Sequence, residues 1–273
     1  MEYKKFKDKI EIYDKEDFNP QHILECGQVF SYEKLKEKYI VFPENKYAEI
    51  FEEKDKYIIK TKDTLYFENY FDLQTDYKKI KTLLNNFDLL KNPIKFGYGI
   101  RILKQDLLET VISFIISANN NIKRIKMILN NLRNYFFAEN KGNYFPSYEQ
   151  LKKCDEDFFK QMGCGYRSKY LVCVLKQINP EILNNWRNLD SESLRTNLIS
   201  LSGIGPKVAD CILLFGYGKK DVFPVDTWIH QMYCKFYKNL ENRVQIRNNL
   251  VKEFGDLSGY AQQYLFYYQR SFL

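Results

Sequence analysis

The sequence predicts an α+β fold, with an N-terminal antiparallel β-sheet domain and flanking helices at residues 1–97 and a mostly α-helical domain at 98–273. Three observations carry this expectation. Short runs rich in β-branched and aromatic residues, broken by polar turns, fill residues 29–60. From Ile100 onward the apolar spacing is helical almost throughout. Between the two, Asn92-Pro93 and Gly97-Tyr98-Gly99 gather breaker residues where the period changes, which puts the boundary there.

Asn19-Pro20 offers an N-cap followed by proline at the first helical position, and Gly27 is placed to end that short helix. Strands are expected at Val29–Tyr32, Lys38–Phe42, Tyr47–Phe51 and Tyr57–Lys60, with turns such as Pro43-Glu44-Asn45 between them. Asp76–Asn86 carries Ile80, Leu83 and Leu84 at helical spacing. Further helices are expected at Asp106–Ala118, Ile122–Phe137, Tyr148–Lys153, Glu156–Met162 and Arg167–Ile178. They continue at Ser191–Ser200, Pro206–Phe215, Thr227–Phe236, Glu241–Phe254 and Tyr260–Phe272.

Composition narrows the chemistry. An apolar share of 45% with 16% aromatics supplies a packed interior and argues against disorder. The N-terminus is charged with no apolar run, and the longest charge-free apolar stretch, Thr110–Ile122, is 13 residues. A bilayer needs about 20, so a cytoplasmic protein, neither secreted nor membrane-spanning, is expected. Six cysteines without a CxxC pair fit reduced thiols and give no metal-cluster spacing. His22 and His230 are the only histidines, which excludes three-histidine zinc sites and HExxH metalloproteases. The 42 Lys+Arg against 35 Asp+Glu leave a charge of +7, a moderate bias toward a polyanion that a solvated lysine-rich surface more often explains.

The most informative stretch runs from Leu201 to Asp210. A helix ends, Gly203-Ile204-Gly205 forms a tight turn, and Pro206 opens the next helix with its free N–H groups at the positive end. That is either an anion site for a phosphate backbone or an ordinary helical connection. Lys207 stands where the dipole opposes its charge, which favours the neutral amine a nucleophile requires; read alone, a lysine at such a position is more often an exposed phosphate contact or a solvated charge. Asp226, after Phe223-Pro224-Val225, is the natural N-cap of the next helix, and a carboxylate so held could also face a developing cation. Asn119, Asn120 and Asn121 sit between two helices as local hydrogen bonders or as readers of base edges. Gly163-Cys164-Gly165-Tyr166-Arg167 reads as a turn whose Tyr166 can wedge between bases and whose Arg167 can reach phosphate or base.

With these segments assembled, the chain resembles the 8-oxoguanine DNA glycosylase family within the helix-hairpin-helix glycosylase superfamily. The likeness extends over nearly the whole length. It is carried by ECGQVFSY (Glu25–Tyr32), GIRILKQD (Gly99–Asp106), SFIISANNNIKRI (Ser113–Ile125), MGCGYRSKY (Met162–Tyr170), LSGIGPKVADC (Leu201–Cys211), FPVDTW (Phe223–Trp228) and GYAQQYLF (Gly259–Phe266). The resemblance implies that Lys207 is a Schiff-base nucleophile and Asp226 its catalytic carboxylate. It implies that the Gly27 carbonyl reads the N7 proton of the oxidised base, with Gln262 bonding and Phe266 stacking on that base and Cys211 on its opposite face. It assigns Asn119, Arg124, Tyr166 and Arg167 to the gap and the orphaned cytosine, Gly203, Ile204 and Gly205 to phosphate, and the C-terminal helices to completing the base pocket. Trp228 departs from the family, whose eukaryotic members commonly carry histidine there, and the cysteine quartet of the iron-sulfur relatives is lacking.

The expected partner is therefore double-stranded DNA containing oxidised guanine opposite cytosine, bound by a monomer, with no cofactor, no metal and no membrane. The expected reaction is base excision through a lysine Schiff base followed by β-elimination. Two other readings stay open: a glycosylase for a different damaged base, and a helix-hairpin-helix module that binds DNA without catalysis.

Overall fold

The computed structural model describes residues 1–142, 144–237 and 242–272. Six strands, β1 (Tyr3–Lys5), β2 (Lys9–Ile12), β3 (Tyr32–Lys34), β4 (Lys38–Val41), β5 (Ala48–Glu53) and β6 (Lys56–Lys60), form one antiparallel sheet in the order β1-β2-β6-β5-β4-β3. Helices α1 (Pro20–Leu24), α2 (Thr64–Tyr70), α3 (Tyr77–Leu84) and α4 (Asp88–Phe96) accompany it. Next come α5 (Leu107–Ser117), α6 (Ile122–Tyr135), α7 (Phe137–Asn140), α8 (Tyr148–Leu151), α9 (Glu156–Gln161) and α10 (Ser168–Gln177). The chain ends through α11 (Pro180–Asn185), α12 (Ser191–Ser200), α13 (Pro206–Phe215), α14 (Thr227–Tyr237), α15 (Arg243–Phe254) and α16 (Ser258–Phe272). The expected α+β class is what is found, and no helix among the described residues is long and apolar enough to cross a membrane.

The chain groups into two compact units, 1–41 with 47–104 and 218–273, and 42–46 with 105–217. A single cut at 97/98 therefore does not describe it. The tail returns to the sheet-bearing unit because α16 is tied there. Gln263 Nε2 donates to Cys26 O at 2.9 Å, and the Tyr260 and Tyr77 rings meet at 5.6 Å. Phe42–Lys46 leaves for the helical unit, where Phe145 N donates to Glu44 O at 3.3 Å and the Arg133 guanidinium lies over the Phe42 ring.

In the first unit, Ile59 faces Ile10 on one neighbouring strand and Ile50 on the other, a cross-strand apolar ladder. These residues bury against Ile23, Leu24, Phe67 and Phe71. A second core gathers Leu90 and Ile94 of α4 with Ile229, Leu250 and Leu265. The buried Arg101 of the GIRILKQD segment donates to Phe71 O, Asp17 O and Thr75 O at 3.0 Å each and stacks on Tyr77. Its role there is to close backbone ends. In the second unit a buried pair, Arg133 Nη2 to Glu109 Oε1 at 2.7 Å, joins α6 to α5.

Several elements differ from the sequence reading. Asn92-Pro93 lies inside α4 rather than at a break, since proline there forfeits one backbone bond while Leu90, Pro93 and Ile94 are buried. The strand expected at Val29–Tyr32 begins only at Tyr32. β1, β2, α2, α4, α7 and α11 are additional, and α15 starts at Arg243, with Glu241 outside the described residues.

Candidate active site

In the helical unit, α12 and α13 flank the turn 201–205. Gly203 has φ +84°, and a Cβ there would stand 2.4 Å from Tyr170 Cγ, so only glycine fits. Gly205 caps α13 without a side chain, leaving first-turn N–H groups outward. Buried Asp210 pairs with Arg195 Nε at 2.9 Å, which locks the two helices in register. Gly203→Ala is expected to cost about 2–4 kcal/mol through backbone strain and overpacking. A thermal melt checks this; an unshifted midpoint would show that Tyr170 yields freely.

Lys207 occupies the second position of α13, half-buried, its amine 5.6 Å from the centre of the Phe114 ring. Phe114 in turn stacks on Phe215 at 5.4 Å. The aromatic face limits the water that can reach the amine, which stands at the positive end of the helix. Cys211, one turn later, is buried.

Two loops of the same unit come together. Asn121 caps α6 through Arg124 N at 2.9 Å, and Asn120 Nδ2 donates to Ile116 O at 3.0 Å, so these two amides serve the backbone. Asn119 is exposed, in left-handed backbone with φ +48°. Arg167 is buried and gives Nε to Ala118 O at 2.8 Å and Nη2 to Ala118 O and Asn119 O at 2.7 and 2.8 Å. Its guanidinium lies over Tyr166, which is half exposed and also donates to Ala118 O. Arg167 thus holds the Asn119 turn, beside the surface where the sequence expects it to reach phosphate or base. Exposed Arg124 donates to Gly163 O at 3.4 Å.

In the sheet-bearing unit, Asp226 Oδ1 accepts from Ile229 N at 2.9 Å, the N-cap bond of α14 expected from the sequence. Trp228 follows within that first turn. Gly27 has φ +86°, and a Cβ on it would lie 2.9 Å from Phe266 Cε1. The turn is pinned by Gln28, whose Nε2 donates to Ile23 O and Arg101 O and whose Oε1 accepts from Leu103 N. Burial pushes the neighbouring Cys26 thiol up to about 11, so it stays neutral. Gln262 is buried, and its Oε1 has no hydrogen-bond partner among the described residues. Sequence reasoning missed Arg270, eight residues beyond Gln262 on the same helix; its Nη1 is also buried without a partner. The spacing 262, 266, 270 is the signal that could have found it.

Against known proteins, a family model described as the 8-oxoguanine DNA glycosylase N-terminal domain matches residues 10–111. One described as the HhH-GPD superfamily of base excision DNA repair proteins matches residues 112–255. A probable N-glycosylase/DNA lyase of Methanothermobacter thermautotrophicus is 31% identical over 231 residues, 74% of this chain and 73% of that one. The chain belongs to the 8-oxoguanine DNA glycosylase family. Another relative in the family, the N-glycosylase/DNA lyase of Arabidopsis thaliana, is 34% identical over 66% of this chain, which spans only 56% of the relative's length. The solved 8-oxoguanine glycosylase/lyase of Clostridium acetobutylicum, in complex with double-stranded DNA containing cytosine opposite 8-oxoguanine, superposes with a TM-score of 0.90 at 34% identity. That likeness covers 99% of this chain and 98% of the other.

Proposed function

We propose that this chain is a bifunctional DNA repair glycosylase that excises 8-oxoguanine opposite cytosine from duplex DNA and then nicks the strand. The observation that carries the reading is the Lys207 amine, set in the first turn of α13 directly after the hairpin and over the Phe114 ring, in a chain of this family. Duplex DNA buries the target bond, so the nucleotide must rotate outward at a cost of a few kcal/mol for unstacking and unpairing. Hairpin N–H groups at Gly203 and Gly205 and the exposed Arg124 and Asn119 offset that cost through phosphate and gap contacts, while Ile204 N, expected to join them, donates to Leu201 O at 3.2 Å.

Neutral Lys207 then attacks C1′. The C1′–N9 bond breaks as the C1′–Nζ bond forms, and the base leaves with the bonding pair. Asp226 offsets positive charge growing on the sugar, an electrostatic effect of the kind worth about 3–4 kcal/mol per well-placed group. Opening of the sugar ring gives an iminium, which withdraws electrons from C2′. Loss of a C2′ proton expels the 3′ phosphate, and water finally cleaves the imine and returns the amine.

Selectivity follows from one proton. Guanine presents a lone pair at N7 where its 8-oxo form presents N–H, so a carbonyl at Gly27 meets an acceptor in one and a donor in the other. The oxidised base is expected to be released at least ~100-fold faster than guanine opposite the same cytosine. Equal release of both would remove the substrate assignment while leaving the fold untouched.

A further inference from the structure

Helix α16 carries Gln262, Phe266 and Arg270 at four-residue spacing, one stripe along one face. The two polar members each keep a buried atom unpaired among the described residues, Oε1 of Gln262 and Nη1 of Arg270. Buried atoms of this kind also occur at Tyr264 Oη and Ser168 Oγ, but those of Gln262 and Arg270 share one helix face with Phe266, where a ligand can supply the missing partners. Arg270 leans back along its helix, as long helical side chains do. Its Nη2 donates to Glu25 O, and its guanidinium carbon lies 5.3 Å from the Phe266 ring centre and 5.9 Å from that of Tyr267. Nη1 thereby stands 2.9 Å from where a Cβ on Gly27 would be, the same distance as Phe266 Cε1. The unpaired donor and the Gly27 backbone share one end of Phe266. The unpaired acceptor of Gln262 belongs to the preceding turn, about 6 Å along the axis.

We propose that Arg270 is a specificity-determining residue of the base pocket, its Nη1–H donating to the oxygen on C8 of the oxidised purine. The assignment rests on the base-excision reading above. Oxidation changes guanine along one edge only, replacing N7 and C8–H by an N–H and C=O side by side. An acceptor at Gly27 beside a donor at Arg270 is the complement of that pair. Gln262 Oε1 accepts from the N1–H and N2–H edge opposite. Guanine mismatches twice, with acceptor against acceptor at N7 and a C–H where the charged donor needs an oxygen. Hydrogen bonds from a charged donor in a water-poor site are the stronger kind, so the second mismatch adds to the first.

The test compares two reactions of one enzyme, excision of 8-oxoguanine and cleavage of an abasic duplex, which offers no base edge, in wild type, Arg270→Met and Arg270→Lys. The ratio of excision to abasic cleavage is expected to fall roughly tenfold to hundredfold in Arg270→Met. In Arg270→Lys, which keeps a cation over Phe266 on a shorter, non-planar donor, it is expected to fall about threefold or more. Should the first variant fail to fold by thermal melt, the second carries the test. An unchanged ratio, or both reactions falling together, overturns the assignment. Wild type inert on both duplexes would instead overturn the excision reading on which it stands.

Discussion

Borohydride should trap wild-type chain covalently on a duplex containing 8-oxoguanine, and Lys207→Gln should abolish both the adduct and base release. The expected loss is on the order of 10⁴-fold or more, the scale seen when a covalent nucleophile is removed. Glutamine keeps an unbranched, polar side chain and the helix propensity, and the Lys207 side chain is only half-buried, so folding should be preserved. A rival amine sharpens the experiment. Lys220 lies over the Tyr260 ring at 5.5 Å, and burial pulls its amine down to about 8, a value that suits a nucleophile near neutral pH. Lys220→Gln should leave the adduct intact. An adduct that survives Lys207→Gln and vanishes with Lys220→Gln would move the chemistry to the other lysine; one that survives both would place the Schiff base on a third amine, and a wild-type chain that traps nothing would remove it from the mechanism.

What the sequence reveals about this protein follows from how local the determining forces are. Helices α12 and α13 lie where the residue pattern puts them, because glycines, a proline at the first helical position and apolar spacing all act within a few residues. Asp226 is legible as a cap for the same reason. Strands β1 and β2 are not, since three or four residues rich in lysine gain their strand geometry from pairing with β6 and each other. Proline at 93 misleads because a short helix against a core tolerates one missing bond. The return of 218–273 to the sheet-bearing unit depends on bonds such as Gln263 to Cys26, spanning 237 positions, which no local pattern encodes.

Arg167 and Arg270 illustrate the same division inside the candidate site. Each is a basic residue in a segment marked by its motifs or lying just beyond them, and sequence allows either to face solvent, phosphate or base. The structure gives Arg167 to the carbonyls of Ala118 and Asn119 and leaves one nitrogen of Arg270 unpaired beside Gly27. Both arginines bind backbone carbonyls, and which of them keeps a nitrogen unpaired is decided by the packing around it, of which residue type alone carries no trace.

Asp226→Asn is expected to cut turnover on 8-oxoguanine by about 10²–10³-fold with little change in stability or in affinity for duplex DNA. The reason lies in the two jobs one carboxylate holds. As N-cap, Asp226 accepts from Ile229 N, and asparagine accepts in the same place almost equally well. Its negative charge, by contrast, is what steadies a sugar turning cationic, and the amide has none. Asp226→Ala removes both functions, so it should add a stability loss of about 1 kcal/mol to the same kinetic defect. Rate and melting temperature measured on the pair separate the roles: if Asn and Ala fell together in stability while Asn kept wild-type turnover, Asp226 would be a cap and nothing more. A drop in DNA affinity matching the drop in rate would place the charge in ground-state binding, because only an interaction stronger in the transition state lowers turnover on its own.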